Sequence, residues 1–210
     1  MFLNSAIVYG HGTDNAWDEA VYLVTSLSGF SDSDQSVDLE VSQEIERKII
    51  DCAERRIQDR VPLAYLLGFC EYAGHRFLTS EGVVIPRSPI GLLVAEGHLK
   101  SWAGKGVRRI LDLCTGSGCL GILAAYEYPE AEVVLVDKEL LAVDLAKKNV
   151  RKHSLESRVS VVIMDVTSET LDDIGEFDLI ICNPPYVDEI DMRSLPEEFS
   201  KEPAAGLDGG

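Results

Sequence analysis

Positive charge is scarce in this chain. Its 210 residues carry 19 Lys and Arg against 36 Asp and Glu, a net charge of −17. That shortage argues against a protein that lives on nucleic acid, where basic patches supply most of the affinity. A basic protein partner would instead be attracted. Cysteine and histidine are also sparse. Cys52, Cys70, Cys114, Cys119 and Cys182 include no Cys-x-x-Cys pair, and the four histidines add no ligand spacing. The common zinc patterns are therefore excluded, no metal is expected, and an odd, scattered set of thiols predicts reduced cysteines in the cytoplasm. No apolar run reaches the roughly 18 residues of a membrane span. No basic stretch precedes an apolar one at the N-terminus, as a signal peptide would require. Repeats and low-complexity segments are absent as well.

What is present suffices for a core: 46% of the residues are hydrophobic, ordinary for a globular chain of one α/β domain plus a small extra domain. Residues 1–61 read as a helical domain. Asp14 or Asn15 can cap a helix carrying Trp17, Val21, Val24 and Leu27, and residues 31–38 read as a polar loop. Residues 41–60 read as a longer helix with Ile45, Ile49, Cys52 and Ile57 near one face and charges elsewhere. This domain serves packing or partner recognition. Residues 62–87 predict a β-hairpin linker with a turn at Gly74 and a further β-branched run, Val83-Val84-Ile85, closed by Pro86. His75 reads as a turn residue facing solvent. Arg87 is placed to meet an anion or a neighbouring carboxylate. Ser88-Pro89 is a helix-start signal, a capping hydroxyl before a first-turn proline.

Residues 88–210 repeat strand, loop and helix. Strands are predicted at 109–113, 132–136, 159–164 and 177–182, alternating with helices, which implies a parallel sheet with helices on both faces. Ligands of such sheets sit beyond the carboxyl ends of the strands. Asp112 lies in the last turn of its strand, and Asp137, Asp165 and Asn183 each follow one. Four polar groups are thus expected on one edge.

Gly116-Ser117-Gly118-Cys119-Leu120-Gly121 fits G-x-G-x-x-G. Its glycines let a ligand approach the backbone where a helix presents free N–H groups. Asp137 stands at the distance that suits ribose hydroxyls. Both NAD and S-adenosylmethionine use such services. Asp112 just before the loop favours the second, because a carboxylate suits an ammonium and repels a pyrophosphate. No hydride-handling group is evident beside it. Asn183-Pro184-Pro185-Tyr186 then makes a clamp for a flat polar group. The prolines end the strand and fix the backbone. The Asn183 side-chain oxygen and the Pro184 carbonyl can accept the two N–H bonds of an amide or amino nitrogen, and Tyr186 can stack on its plane. Methyl transfer from a sulfonium is an in-line displacement in which alignment supplies much of the rate.

Together these residues resemble the class I S-adenosylmethionine-dependent methyltransferases with an Asn-Pro-Pro-Tyr motif. Within them the chain is similar to the protein-(glutamine-N5) methyltransferases, a family with a helical N-terminal domain, a β-hairpin linker and a Rossmann-like methyltransferase domain. The segment Val84-Ile85-Pro86-Arg87-Ser88-Pro89-Ile90-Gly91, with Leu195-Pro196-Glu197 and Glu202-Pro203 after the clamp, resembles the branch acting on ribosomal protein L-three. The release-factor branch is the alternative. A nucleic-acid adenine N6-methyltransferase, whose exocyclic amino group is equally flat, and a non-catalytic cofactor-binding fragment are others.

The resemblance implies that Cys114, Thr115, Gly116, Ser117 and Gly118 line the methionine end of the cofactor and that Asp137 takes its ribose. Asp165 and Val166 would border the adenine. Asn183, Pro184, Pro185 and Tyr186 would hold a glutamine amide, with Asn183 also next to the cofactor. The family's sheet continues for three more strands after its clamp. By that measure the domain is C-terminally short, the activity of this form is open, and strand 177–182 is expected as an uncovered edge, which a homodimer would cover.

Overall fold

The computed structural model describes residues 1–30 and 40–210. The polar loop expected at 31–38 lies outside the described residues. Helix α1 (Ala16–Ser28) starts where the Asn15 side-chain oxygen accepts the N–H groups of Trp17 and Asp18, and it stops at left-handed Gly29. Helix α2 (Gln43–Gln58) is capped by Ser42. The face of α1 that meets α2 is only in part the stripe expected from its apolar residues: Leu27 packs into the core. Trp17 is 72% exposed and Val24 lies near the surface, whereas Leu23 and Glu19 are each 2% exposed. The reason is a buried charge pair: Arg56 Nε of α2 donates to Glu19 Oε1 at 2.5 Å. The expectation that charges on α2 lie away from the core fails at Arg56 for the same reason. Around this pair pack Phe2, Ile7, Leu23, Ala53 and Leu63.

A short helix α3 (Leu63–Leu67), not expected from the sequence, follows Pro62 and ends at left-handed Gly68. The hairpin pairs β1 (Phe69–Tyr72) with β2 (His75–Leu78). Its two turn residues, Ala73 and Gly74, both have positive φ, as a two-residue turn matching strand twist requires. His75 does not simply face solvent; its ring stacks on Tyr126 at 4.7 Å. Val83-Val84-Ile85 is not a strand. Its backbone is tied instead by the Ile85 N–H, which donates to Glu202 Oε1 at 2.8 Å. Helices α4 (Pro89–Ala95), capped by Ser88 as expected, and α5 (His98–Ala103) lead into the main sheet.

The sheet contains β3 (Arg109–Leu113), β4 (Glu132–Asp137), β5 (Val159–Ile163) and β6 (Leu179–Cys182), all parallel, in the order β5-β4-β3-β6. Helices α6 (Cys119–Glu127) and α7 (Leu140–Lys152) make the crossovers between β3, β4 and β5. Ile110, Val133 and Leu135 on one sheet face pack in a single core with residues of α4, α6 and α7 and with Phe77 of the hairpin. The other face differs from expectation. Leu111, Val134 and Val136 are covered by Met164, Leu171, Ile174 and Phe177, side chains of the irregular segment between β5 and β6. The strand order turns back between β3 and β6, so their carboxyl ends form the crevice where open α/β sheets bind ligands. After β6 the chain forms α8 (Glu189–Ser194), a single-turn helix at Glu197–Lys201, and a return to the clamp at Leu207.

Candidate active site

The β3–β6 pairing sets the geometry. Leu113 is in register with Cys182, so the glycine loop that follows β3 and the clamp that follows β6 emerge side by side. The thiols of Cys114 and Cys182 meet across this junction, and burial pushes the Cys114 thiol up to about 11. The four polar groups expected on this edge are all here, in different environments.

Asp112 is fully buried. Its Oδ2 accepts the Thr115 hydroxyl at 2.5 Å and the Gly121 N–H at 2.9 Å, while Oδ1 is buried without a partner. Burial pushes its carboxyl up to about 7, against the lowering influence of those two donors. An unsatisfied buried oxygen is costly and marks a position where a donor belongs. Gly121 has to be glycine, because a Cβ there would lie 3.1 Å from the Asp112 carboxylate and closer still to Leu135.

The loop between them turns on three left-handed residues, Cys114, Gly116 and Gly118. Two backbone bonds hold it to β4: the Thr115 N–H donates to the Val136 carbonyl at 3.0 Å and the Gly116 N–H to Asp137 Oδ2 at 2.8 Å. Ser117 is buried, and its carbonyl accepts Asn149 Nδ2 at 2.8 Å. Asn149, fully buried, also exchanges hydrogen bonds with both backbone groups of Leu78. It thereby fastens loop to hairpin, a role its place among the charges of α7 did not suggest. A Cβ on Gly116 would meet Val83 Cγ1 at 3.9 Å, an ordinary packing distance, so Gly116 is half-buried beside Val83. Asp137 uses one lone pair of each oxygen, accepting Gly116 and Glu139 N–H groups at 2.8 and 3.0 Å, and retains the others. The orphaned Asp112 oxygen, the left-handed glycine loop and the spare acceptors of Asp137 fit an ammonium, a small backbone-hugging chain and a diol, as the methionine and ribose parts of S-adenosylmethionine would need.

Asp165 serves its own turn. Oδ1 accepts the N–H and hydroxyl of Thr167 at 3.0 and 2.7 Å, which hold its carboxyl below its ordinary value. Val166 beside it is half-buried against the Leu111 and Val134 face.

In the clamp, Asn183 is half-buried and its Oδ1 accepts the Ser88 hydroxyl at 3.2 Å. Pro184 is exposed and Tyr186 is 74% exposed. The Tyr186 and Val187 N–H groups both donate to the Leu207 carbonyl, at 3.1 and 2.9 Å. Arg87, expected to meet an anion or a carboxylate, meets Glu202, with Nη1–Oε1 and Nη2–Oε2 at 2.6 and 2.8 Å. Three residues next to the site, Ser88, Asn149 and Glu202, carried no sequence signal for these contacts.

Residues 97–210, which carry the parallel sheet, the glycine loop and the Asn183–Tyr186 segment at its switch point, match the family model of the methyltransferase small domain, and the class of protein is a methyltransferase. The hMettl16 catalytic domain, solved in complex with MAT2A 3′UTR hairpin 6, has a similar fold. Its TM-score is 0.52 at 20% identity, covering 90% of this chain and 68% of that one. Two relatives are named ribosomal protein uL3 glutamine methyltransferase. One, from Bordetella pertussis, is 43% identical over 99% of this chain and 70% of its own length. The other, from Francisella tularensis, is 38% identical over 97% of this chain and 65% of its own. The chain belongs to the ribosomal protein uL3 glutamine methyltransferase family.

Proposed function

We propose that the chain methylates the side-chain nitrogen of a glutamine in ribosomal protein uL3, with S-adenosylmethionine as methyl donor. The observation that supports the reading is the register of Leu113 with Cys182, which brings Asn183 and the glycine loop side by side at the ends of β6 and β3.

When bound, S-adenosylmethionine supplies an electrophilic methyl group on sulfur. The chain's own residues bind and align. Asp112 Oδ1 receives the ammonium, the loop from Cys114 to Gly118 lines the methionine moiety, and the spare acceptors of Asp137 take the ribose hydroxyls. Asp165 and Val166 border the adenine. Asn183 Oδ1 and the Pro184 carbonyl accept the two N–H groups of the glutamine amide. That fixes the nitrogen and turns its lone pair, otherwise delocalised, toward the reacting carbon. Alignment of this kind is worth several orders of magnitude in rate. The exposed Tyr186 ring offers a face to the amide plane. The proton is lost after the new bond forms, so no strong base is needed first. The net charge of −17 suits a basic protein substrate.

The test is incubation with methyl-labelled S-adenosylmethionine and, separately, uL3, a release factor and RNA, followed by peptide mapping. Label on a glutamine of uL3 is expected. Label confined to RNA or to the release factor refutes the reading.

A further inference from the structure

The linker corner from Val84 to Ser88 meets the acceptor segment at several points, and no connection in sequence requires this. Ser88 Oγ reaches Asn183 Oδ1 at 3.2 Å. The Arg87 guanidinium grips both oxygens of Glu202, at 2.6 and 2.8 Å. The Ile85 N–H donates to the same carboxylate at 2.8 Å. Val84 packs so closely on Gly206 that a Cβ there would collide with it. Glu202 is fully buried at its side chain, with His11 Nε2 of the N-terminal domain 3.4 Å from its Oε2.

We propose that this corner, and Ser88 in particular, positions the acceptor clamp: the Ser88 hydroxyl sets which way the Asn183 amide points. The inference rests on the proposed methyl transfer to an amide. Ser88 Oγ already accepts the Ile90 N–H at 3.3 Å, so its own proton is free to donate toward Asn183. With its proton directed at Asn183, the hydroxyl favours the amide oxygen; the flipped amide would have to donate its NH₂ to the one lone pair that the Ile90 N–H leaves free. The second lone pair of Oδ1 is left for the substrate N–H. Rotated by half a turn, the amide would present N–H to N–H and repel the substrate. Arg87 and Glu202 hold the far end of the same loop, so the frame cannot drift relative to Ser88.

The experiment separates this role from helix capping, since Ser88 also caps α4. Glycine caps nearly as well as serine and has no hydroxyl. Ser88→Gly is therefore expected to lower kcat about tenfold, the value of one well-placed hydrogen bond. KM for the protein substrate and calorimetric affinity for S-adenosylmethionine should stay within about twofold. Ser88→Thr should restore most of kcat. In an Asn183→Ala background, Ser88→Gly should have no further effect, because both changes act through one amide. A further tenfold loss there, or a parallel loss of cofactor affinity, overturns the proposal.

A readout free of turnover guards against failure of the functional reading itself. The Asn183 side-chain amide, assigned by difference with Asn183→Asp in ¹⁵N NMR, should give one sharp pair in the unaltered protein and a broadened or doubled pair in Ser88→Gly. Unchanged signals overturn the positioning role even if no glutamine is ever methylated. If the label lands on another acceptor while the amide signals change as expected, the function falls and the positioning role stands.

Discussion

Asp112 faces Gly121 across the junction of β3 and α6, one carboxylate oxygen accepting the glycine N–H at 2.9 Å and the other buried with nothing to accept. The pair sets a proton balance as well as a turn. With its carboxyl pushed up to about 7 by burial, Asp112 is mostly protonated in mildly acidic solution, whereas an ammonium ligand needs it ionised. Affinity for S-adenosylmethionine should therefore rise with pH between about 5 and 7, by up to roughly tenfold per unit. Binding at about pH 6 should release a proton, visible by calorimetry in buffers of different ionisation enthalpy. Asp112→Asn should flatten the profile. A flat profile in the unaltered protein would place the ammonium elsewhere. The sign for folding is opposite in sense to a salt-bridged acid. A carboxyl raised above its unfolded value of about 4 costs stability progressively as pH climbs from there through the folded value, and Asp112→Asn removes that slope.

Asn183→Ala should leave cofactor affinity nearly unchanged and reduce methyl transfer by orders of magnitude, since the amide loses one of its two acceptors. Single-turnover rates at saturating cofactor measure this directly. If cofactor affinity collapses in parallel, Asn183 belongs to the donor side of the site.

Asp137→Ala reverses the pattern. It removes the acceptors offered to the ribose and also the partner of the Gly116 N–H, so the loop loosens as the ligand loses its hold. Affinity should fall by about tenfold or more, with the rate at saturation much less affected. An unaltered dissociation constant by equilibrium dialysis would rule out the ribose role.

Arg56 is 1% exposed and is bonded to Glu19 Oε1 at 2.5 Å and to the Val8 carbonyl at 2.8 Å, with Glu198 Oε1 at 3.5 Å. Arg56→Ala leaves the buried Glu19 carboxylate without its cation, while Glu198 keeps Arg60 and the Val8 N–H, and should cost about 3–5 kcal/mol in urea unfolding. Glu198 and Glu202 feel burial that raises them, but donors win. Val8 N–H, Arg56 and Arg60 lower the first, and His11 and Arg87 lower the second, so both sit below their ordinary value. For such groups stability is fully present above the unfolded value of about 4.3 and is lost as pH falls through the folded value. Acid unfolding of Glu202→Gln should show a shallower slope in that range, and an unchanged slope would remove Glu202 from the balance.

The parallel sheet was legible because its strands are continuous apolar runs with acids at their carboxyl ends. The positions of Asp112, Asp137, Asp165 and Asn183 on one edge follow from that alone. The α1 interface was not legible, since a search for apolar stripes discounts Glu19, the residue that defines the buried face. Val83 to Ile85 has every local preference of a strand, yet its N–H group at Ile85 bonds to a glutamate more than a hundred residues away in the chain, which local preference cannot register. Ser88 before Pro89 reads as a helix cap from neighbouring residues alone, and it caps α4. Its second bond, to Asn183, depends on how two distant segments meet and has no counterpart in the pattern of neighbouring residues.

The Glu198 carboxylate accepts the Val8 N–H at 2.8 Å, a contact spanning 190 residues of sequence. A chain made from its N-terminus therefore presents Arg56, Arg60 and the Val8 N–H well before their acceptor exists. Until Glu198 is in place, the helical domain must hold its buried cation with Glu19 and the Val8 carbonyl. Closing a loop of that length is entropically slow, so the acceptor clamp, framed by the same late segment, is expected to take shape after the helical domain and the glycine loop. Cofactor binding, which depends on β3, β4 and the glycine loop, is expected to appear in refolding before the ability to hold an amide.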